Sequence, residues 1–565
     1  MEEKLIYKGI IFDLVQKDVE IKNKTYKRDI IRHPGGVGVI CIVDGKILLV
    51  RQERPAIGKE TLEIPAGKLE YGENPMECGL RELNEETGMA CDKLELLLSF
   101  VSTPGFCDER IWIYKAINPR KADIKLSLDE DEEIDTLWLD LETAFEYTRN
   151  GKIDDGKTVI AISQIKIMNF VVTSPNYPES YWMFCRGLKE NGAKVLAIVD
   201  TPYNQLKQEL KEYCDEIYVV KSFHDYDEMV KACGYFTFKY GKIDWIESNN
   251  EAWLDLDARL RDDFNVKTGF SLKRIEELQS KSQMKKYYKE ANVPVADYRV
   301  LHTLKDGLDF AKQVGYPLVM KPDHGVGASM TYKIMNAEQL ESVYMQTKDH
   351  VMILEQYIDG DIFTLDGICD ENGDIRYLNS LEYVGNCMDS VLYQQSIGCY
   401  TTFEISDECR DIVQRTIHAF KIKNRFFHCE FFRLNHDVQG LGEKGRVFGL
   451  EVNFRPPGGF CPDLMNYAGE LDVYRLWAEV ILKQSASYSK LRRYSAGFVG
   501  RRNSIKYRFT VKEVEEMFKE DVIEVLYLPE AFAAAMGDVA IVAKFTSPAR
   551  RDEFFKSALR RKDRL

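Results

Sequence analysis

The sequence predicts a multidomain α/β protein, and three observations carry that prediction. Its 565 residues imply about three to four folding units at roughly 100–200 residues per domain. Short β-rich runs punctuated by Gly and Pro (GVGVICIV, KILLVRQ, ERIWIYKA) fill residues 1–165, around one strong helical pattern. Beyond them, KIMNFVVTSPN and AKVLAIVD flank a helical stretch near 179–190 and read as the opening βαβ of a new fold.

Composition narrows the class. With 45% hydrophobic residues there is material for several cores, which excludes a disordered or low-complexity chain. No run approaches the roughly 18 apolar residues of a membrane span. The start MEEKLIYKGI lacks the basic-then-apolar signature of a secretory leader, and the 13 cysteines form no CxxC pair. A cytoplasmic protein is expected. The net charge of −14 argues against nucleic acid as a partner, because phosphate backbones attract basic surfaces.

The helix expected from Asn74 to Thr87 is specified locally. Asn74 suits the N-cap, Pro75 the first helical position, Glu77 a capping box, and Gly88 the C-terminal stop. Glu82, Glu85 and Glu86 fall at i, i+3 and i+4, so three carboxylates share a face, while Met76, Leu80 and Leu83 supply an apolar stripe to bury. Like charges so placed repel, and a hard divalent cation such as Mg²⁺ or Mn²⁺ reverses that repulsion.

The full pattern from Gly67 through Glu73, Arg81, Glu82, Glu85 and Glu86 to Gly88-Met89 resembles the Nudix box, with every fixed letter present. Seven letters at roughly 6% frequency match by chance on the order of 10⁻⁹ per start site. The flanks Leu62–Gly67, His33-Pro34-Gly35 and Arg51–Arg54, and the later Thr103-Pro104-Gly105, resemble ADP-ribose pyrophosphatases, although Thr103 stands where Ser is usual. The resemblance implies that Glu82, Glu85, Glu86 and the Ala66 carbonyl bind metal. It also implies that Glu73 and Arg81 brace them, and that Glu109, on a mobile loop after Pro104, joins Glu86 in catalysis as the base for water. Arg51 and Arg54 would hold phosphate or ribose. A small-molecule nucleotide diphosphate is the implied substrate, and a homodimer through this domain the implied assembly.

Further along, Lys281 precedes a helical stretch, and Lys321 ends the strand Pro317–Lys321 before the small-residue loop Asp323–Ser329. Backbone amides of such a loop approach phosphate oxygens, and lysine adds a point charge. VMILEQYI precedes Asp359-Gly360. In FFHCEFFRLN, His428 and Glu430 are two apart; in VFGLEVNFRP, Glu451, Asn453 and Arg455 are spaced by two, so each set projects from one face of its strand. His428 reads equally as a satisfied core histidine.

This order of motifs resembles an ATP-grasp carboxylate–amine ligase. The resemblance implies ATP contacts from Lys281, Lys321, Gly325, Gly327, Ser329, Glu355, Gln356 and Ile358, with Glu355 on the adenine amine. It implies Mg²⁺ on Glu430, Glu451 and Asn453, and Arg455 on transferred phosphate. Asp366 is expected near the nucleotide, and the stretch from Tyr383 to Tyr400 reads equally as a source of acceptor contacts or as a surface excursion.

The expected organisation is a Nudix α/β/α sandwich with a mixed sheet at 1–165 and a Rossmann-like pre-ATP-grasp domain at 166–275. Two α+β ATP-grasp subdomains follow at 276–490 and a small α+β cap at 491–565, with strands near IKYRFTV and DVAIVAKF. The expected function is bifunctional: hydrolysis of ADP-ribose or a related compound, and ATP-dependent ligation of a carboxylate to an amine. The alternative makes the first domain a nucleotide sensor gating the ligase.

Overall fold

The computed structural model describes residues 3–562 apart from 129–132, 326–329, 386–394, 484–485, 487, 489–492, 529–532 and 534–535. The chain divides into two compact units, Met1–Met168 with Lys189–Lys194, and Asn169–Leu188 with Val195–Leu565.

In the first unit, Glu3–Lys8, Asp13–Ile21 and Lys24–Arg32 form a three-stranded antiparallel sheet. A mixed sheet follows in the order Lys93–Val101, Arg110–Ile117, Gly36–Ile40, Ala66–Lys68, with only its central pair parallel. A further sheet centres on Lys46–Arg54, flanked by Asp135–Asp140 and Lys59–Glu63. Val37 and Val39 face the helix Pro75–Thr87 in one core with Cys78 and Leu83. Ile40, Ile47, Leu49 and Ile113 pack with Leu141, Ala144 and Ala161, which come from the helices Leu141–Arg149 and Gly156–Ser163. The result is the α/β/α arrangement read from the sequence.

The second unit opens with a four-stranded sheet in the order Glu216–Val219, Lys194–Val199, Asn169–Thr173, Trp245–Glu247. Its central strands Asn169–Thr173 and Lys194–Val199 read as continuous apolar runs because both of their faces are covered. A four-stranded antiparallel sheet then sets Met352–Gln356 between Tyr298–Leu301 and Leu318–Pro322. The largest sheet has eight strands in the order Val447–Asn453, Arg425–Leu434, Gly360–Cys369, Ile375–Val384, Ile397–Thr401, Ser495–Arg501, Val539–Phe545, Val522–Tyr527. Residues beyond 491 thus supply its last three strands. The expected strand at IKYRFTV is corrected: Thr510 there caps the helix Val511–Met517 in a capping box with Glu513, and a turn leads into it. Among the described residues no helix is long and apolar enough to cross a membrane.

Gly79 lets the helix Pro75–Thr87 sit close on its sheet, since a Cβ there would lie 2.9 Å from Leu94 Cδ1 and 3.0 Å from Val37 Cγ1. Gly79→Leu is therefore expected to lower stability of the first unit by about 1–3 kcal/mol, read as a fall in the denaturation midpoint.

Two candidate active sites

The Asn74 cap forms, with Oδ1 accepting from the Met76 amide at 2.9 Å, and Gly88 adopts the left-handed conformation at φ 69°. The cap bond goes to Met76 and not to Glu77. The apolar stripe needs a larger correction. Met76 and Leu80 are 41% and 38% exposed, while Cys78, Gly79, Glu82, Leu83 and Glu86 form the buried side. Periodicity located an amphipathic helix but could not show that two of the acids lie on its inner face.

Those acids press against the strand Ala66–Lys68. Glu86 Oε2 accepts from the Ala66 amide at 2.9 Å, and a Cβ on Gly67 would fall 1.9 Å from the Glu82 carboxylate. The box glycine is thus the space in which Glu82 lies. Arg81 Nη1 stands 2.7 Å from Glu82 Oε1 and 2.9 Å from Glu85 Oε2, and its Nη2 is 3.3 Å from Glu73. One guanidinium therefore ties Glu73, Glu82 and Glu85 together. Glu73 also accepts from the Glu70 amide at 2.9 Å.

Glu109 accepts from Ser102 Oγ at 2.6 Å and lies 3.5 Å from His33 Nδ1. The loop before it is tied to a neighbouring strand. The Ile31 amide donates to Phe106 O at 2.7 Å and the Asp108 amide to Ile31 O at 3.2 Å, so the strand Lys24–Arg32 holds it. Arg51 is exposed, 3.3 Å from Glu60. Arg54 places Nε and Nη2 each 2.7 Å from the two oxygens of buried Glu63. Lys157 and Thr61 join the same carboxylate. Burial pushes the Glu63 carboxyl up, but Arg54, Lys157 and Thr61 outweigh it and hold the group at about 2.

In the second unit Ser280 caps the helix Lys281–Glu290, and Asp323 accepts from Ser280 Oγ at 2.7 Å and the Ser282 amide at 2.8 Å. Lys281 Nζ donates to Gly325 O at 2.7 Å. Buried Glu355 takes Lys321 on one oxygen and Lys285 on the other, both at 3.1 Å. Burial raises the Glu355 carboxyl, yet the two lysines bring it down to about 2. One carboxylate between two ammonium groups leaves a net positive charge, suited to a polyphosphate. Lys285 was not singled out in the sequence, although it lies one helical turn from Lys281. The side chain of Glu355, expected on the adenine amine, is committed to the lysines. The Gln356 amide donates to Asp297 O at 2.8 Å, and Ile358 packs with Ala296, Leu434 and Phe448. Gly327 and Ser329, with Asn386, Asp389 and Gln394, lie outside the described residues.

The two acid-bearing strands are antiparallel neighbours, with Glu430 opposite Glu451 and His428 opposite Asn453. His428 is fixed on both sides, with Nδ1 2.5 Å from Asp366 Oδ1 and Nε2 3.2 Å from Glu430. Thr364 Oγ1 donates to the other Asp366 oxygen at 2.6 Å. Burial alone would lower the imidazole, but Asp366 and Glu430 raise it to about 10. Burial and the facing Glu430 push Glu451 up, while His428 and other cations hold Glu430 down despite its burial. Arg455 lies past the end of its strand, so the alternation expected to carry it with Glu451 and Asn453 stops at Asn453. Its Nε donates to Glu251 Oε2 at 2.6 Å and its Nη1 to Pro456 O at 2.9 Å.

Glu251, Asp255, His324, Gly325, Glu451 and Asn453 line one cavity of about 700 Å³. Both acid sets offer the hard oxygen donors that Mg²⁺ and Mn²⁺ prefer. In the present arrangement a cation of the chain lies on each, Arg81 on the first and His428 on the second.

The family model for the NUDIX domain matches residues 32–159, and that for the ATP-grasp domain matches residues 279–426. Over 164 residues the chain is 46% identical to a methanol dehydrogenase activator of Bacillus methanolicus and 40% identical to an ADP-ribose pyrophosphatase of Bacillus subtilis. Each match spans 29% of this chain and 89% of the relative. A GDP-mannose pyrophosphatase of Shigella dysenteriae is 30% identical over 173 residues, 29% of this chain and 88% of that one. An L-amino acid ligase of Bacillus licheniformis superposes with a TM-score of 0.52 at 16% identity, covering 70% of this chain and 97% of that one. N5-carboxyaminoimidazole synthetase of Staphylococcus aureus does so at 0.52 and 14%, covering 70% and 98%. The structural likenesses show the fold. Both domains are those of enzyme families.

The Glu63 cluster makes a stability prediction. Its carboxyl sits at about 2 against an ordinary 4.5, so its contribution is complete above pH 4.5 and is lost as pH falls toward about 2. Glu63→Gln is expected to cost on the order of 2–3 kcal/mol at neutral pH and to flatten the acid limb of a stability-versus-pH titration.

Proposed function

Since the chain belongs to the Nudix family in its first unit and carries an ATP-grasp domain in its second, we propose that it catalyses two reactions. The first is hydrolysis of ADP-ribose or a related nucleoside diphosphate derivative to AMP and a sugar phosphate. The second is ATP-dependent ligation of a carboxylate to an amine through an acyl-phosphate. One observation supports both readings: carboxylates collected on one face and covered by a cation of the chain, Arg81 in the first unit and His428 in the second, which supply the hard oxygen donors a divalent ion takes.

In the first site Glu82, Glu85, Glu86 and the Ala66 carbonyl would hold Mg²⁺ or Mn²⁺, and in the second Glu430, Glu451 and Asn453 would do so. The bound metal supplies charge neutralisation at the reacting phosphates and, in the hydrolase, a more acidic water. With a metal there, Glu82 and Glu85 would turn to it from Arg81, and Glu73 would still hold the guanidinium. Glu109, aimed by the Ser102 hydroxyl, takes a proton from the attacking water. The water oxygen bonds to phosphorus, and the bridging oxygen leaves with the other phosphate. Arg51 has the freer guanidinium for a phosphate or ribose, since Arg54 is engaged by Glu63.

In the second site Lys281, Lys321 and Lys285 hold the triphosphate, while the amides around Gly325 and the hinge at Gln356–Ile358 seat the nucleotide. A carboxylate oxygen of the substrate attacks the γ-phosphorus and ADP departs. Arg455, poised at the cavity by Glu251, steadies the transferred phosphoryl group. The amine nitrogen then attacks the acyl carbon, loses its proton and expels phosphate. Boundaries near 165 and 275 belong to the same proposal, as does residence in the cytoplasm, whereas the expected boundary near 490 falls inside the continuous eight-stranded sheet.

The test is product analysis by mass spectrometry with Mg²⁺. ADP-ribose is expected to yield AMP, with the rate cut at least about a hundredfold by Glu86→Gln. An amide adduct formed with ATP is expected to vanish in Glu451→Gln while AMP formation persists. Unchanged AMP formation in Glu86→Gln would sink the hydrolase assignment; an adduct independent of Glu451 would sink the ligase assignment.

A second copy of the chain is the proposed partner of the first unit. Leu5, Ile6, Tyr7, Ile10 and Ile11 are all exposed, Ile10 to 96%, on or beside Glu3–Lys8, the edge strand of its sheet. An apolar run on an open edge is the self-complementary surface that a twofold interface requires. Replacing Ile10 and Ile11 by Asp is expected to halve the mass seen by light scattering, with the melting transition of the second unit unchanged.

A further inference from the structure

The strand Ile375–Val384 borders a second cavity, of about 350 Å³, closed by the helices Asp407–Ala419 and Cys461–Gly469 and by Tyr488. It shares no lining residue with the cavity at Glu451 and Asn453. Its size falls within the range that encloses a small ligand.

The lining has a definite chemistry. Among the described residues, two arginines, Arg376 and Arg410, line it and no Asp or Glu does, in a chain whose net charge is −14. Arg376 donates from Nε to buried Asp370 at 2.6 Å, which balances its charge. Arg410 is exposed on its helix and forms no ion pair among the described residues. Gln414 is occupied structurally: its Nε2 donates to Gly373 O at 2.9 Å and its Oε1 accepts from the Ile375 amide at 3.2 Å. Asn379 adds a buried amide to the wall, and the remaining side chains are apolar or aromatic. Leu378, Met465 and Leu471 contribute, and Tyr377 and Tyr488 meet edge to face at 5.4 Å.

We propose that this cavity binds a small organic carboxylate with an apolar or aromatic body. Arg410 takes the carboxylate through its forked N–H groups, and the Tyr377–Tyr488 pair with the aliphatic wall takes the body. With no acid to receive an ammonium group, the site favours a simple acid over a zwitterionic amino acid. The cavity shares no lining residue with the one at Glu451 and Asn453, although its wall residue Asn379 stands opposite Asp366 in the sheet, and its test does not depend on ligase turnover.

The experiment is ligand-observed NMR titration of the full chain, run first without and then with Mg·ADP. The probes are 3-phenylpropionate, its neutral amide, phenylalanine and inorganic phosphate. Expected is saturable binding of 3-phenylpropionate, with each other probe weaker by at least about tenfold. Arg410→Ala is expected to weaken the acid by about tenfold without moving the melting temperature, and Arg410→Lys to restore part of it. Glu451→Gln, which tests the ligase reading, is expected to leave this binding intact. The proposal is overturned by absence of 3-phenylpropionate binding, by equal binding of the amide, by phosphate competing as well as the acid, by competition from Mg·ADP, or by indifference to Arg410→Ala.

Discussion

Carboxylates gathered in a desolvated space repel one another, and the fold of each unit answers that repulsion locally. Glu430 and Glu451 face each other across adjacent strands; burial and the facing Glu430 push Glu451 up, while His428 holds Glu430 down against its own burial. Asp366 and His428 supply the compensation: an imidazolium stands between Asp366 and Glu430, and Thr364 completes the Asp366 carboxylate. In the first unit Arg81 spans Glu73, Glu82 and Glu85. The acids are thus held in place before any ligand arrives, and the elements around them are arranged to keep them there.

The same logic separates arginines that can meet a substrate from arginines that hold the structure. Arg54 and Glu63 form a two-pronged pair reinforced by Lys157 and Thr61, so the guanidinium is a support for the strands Lys46–Arg54 and Lys59–Glu63. Arg51, three residues earlier on the same strand, has only an exposed Glu60 at 3.3 Å. Both read alike in one dimension. The distinction comes from which acid the neighbouring strand brings opposite, and that is a matter of register.

What the sequence disclosed follows from how local each feature is. The box helix was legible to its ends because caps and stops act within four residues, as Asn74 and Gly88 do. The facing strands were legible because alternation places His428 with Glu430 and Glu451 with Asn453. The residues that were missed come from elsewhere in the chain. Lys285 approaches Glu355 only when the helix Lys281–Glu290 packs on the hinge sheet, and Glu251 approaches Arg455 across 204 positions. The inner side of the box helix was misjudged because Glu82 and Glu86 are buried where an apolar periodicity expects Met76 and Leu80. A buried acid contradicts the pattern that finds helices, and it does so where the chemistry lies.

The eight-stranded sheet has a consequence for the order in which the molecule can be made. Its edge strand Val447–Asn453 carries Glu451 and Asn453, but the interior strand Ile397–Thr401 has no outer neighbour until Ser495–Arg501 exists, and that strand in turn waits for Val539–Phe545. A chain leaving the ribosome from its N-terminus therefore holds an open sheet edge through most of the synthesis of its second unit. The first unit has nearly all of its residues by Met168. Domains generally fold as units during synthesis, N-terminal first. Translation that stops short of residue 545 thus leaves an unsealed, aggregation-prone sheet tethered behind an already closed first unit, and the length of the message separates the birth of one site from that of the other.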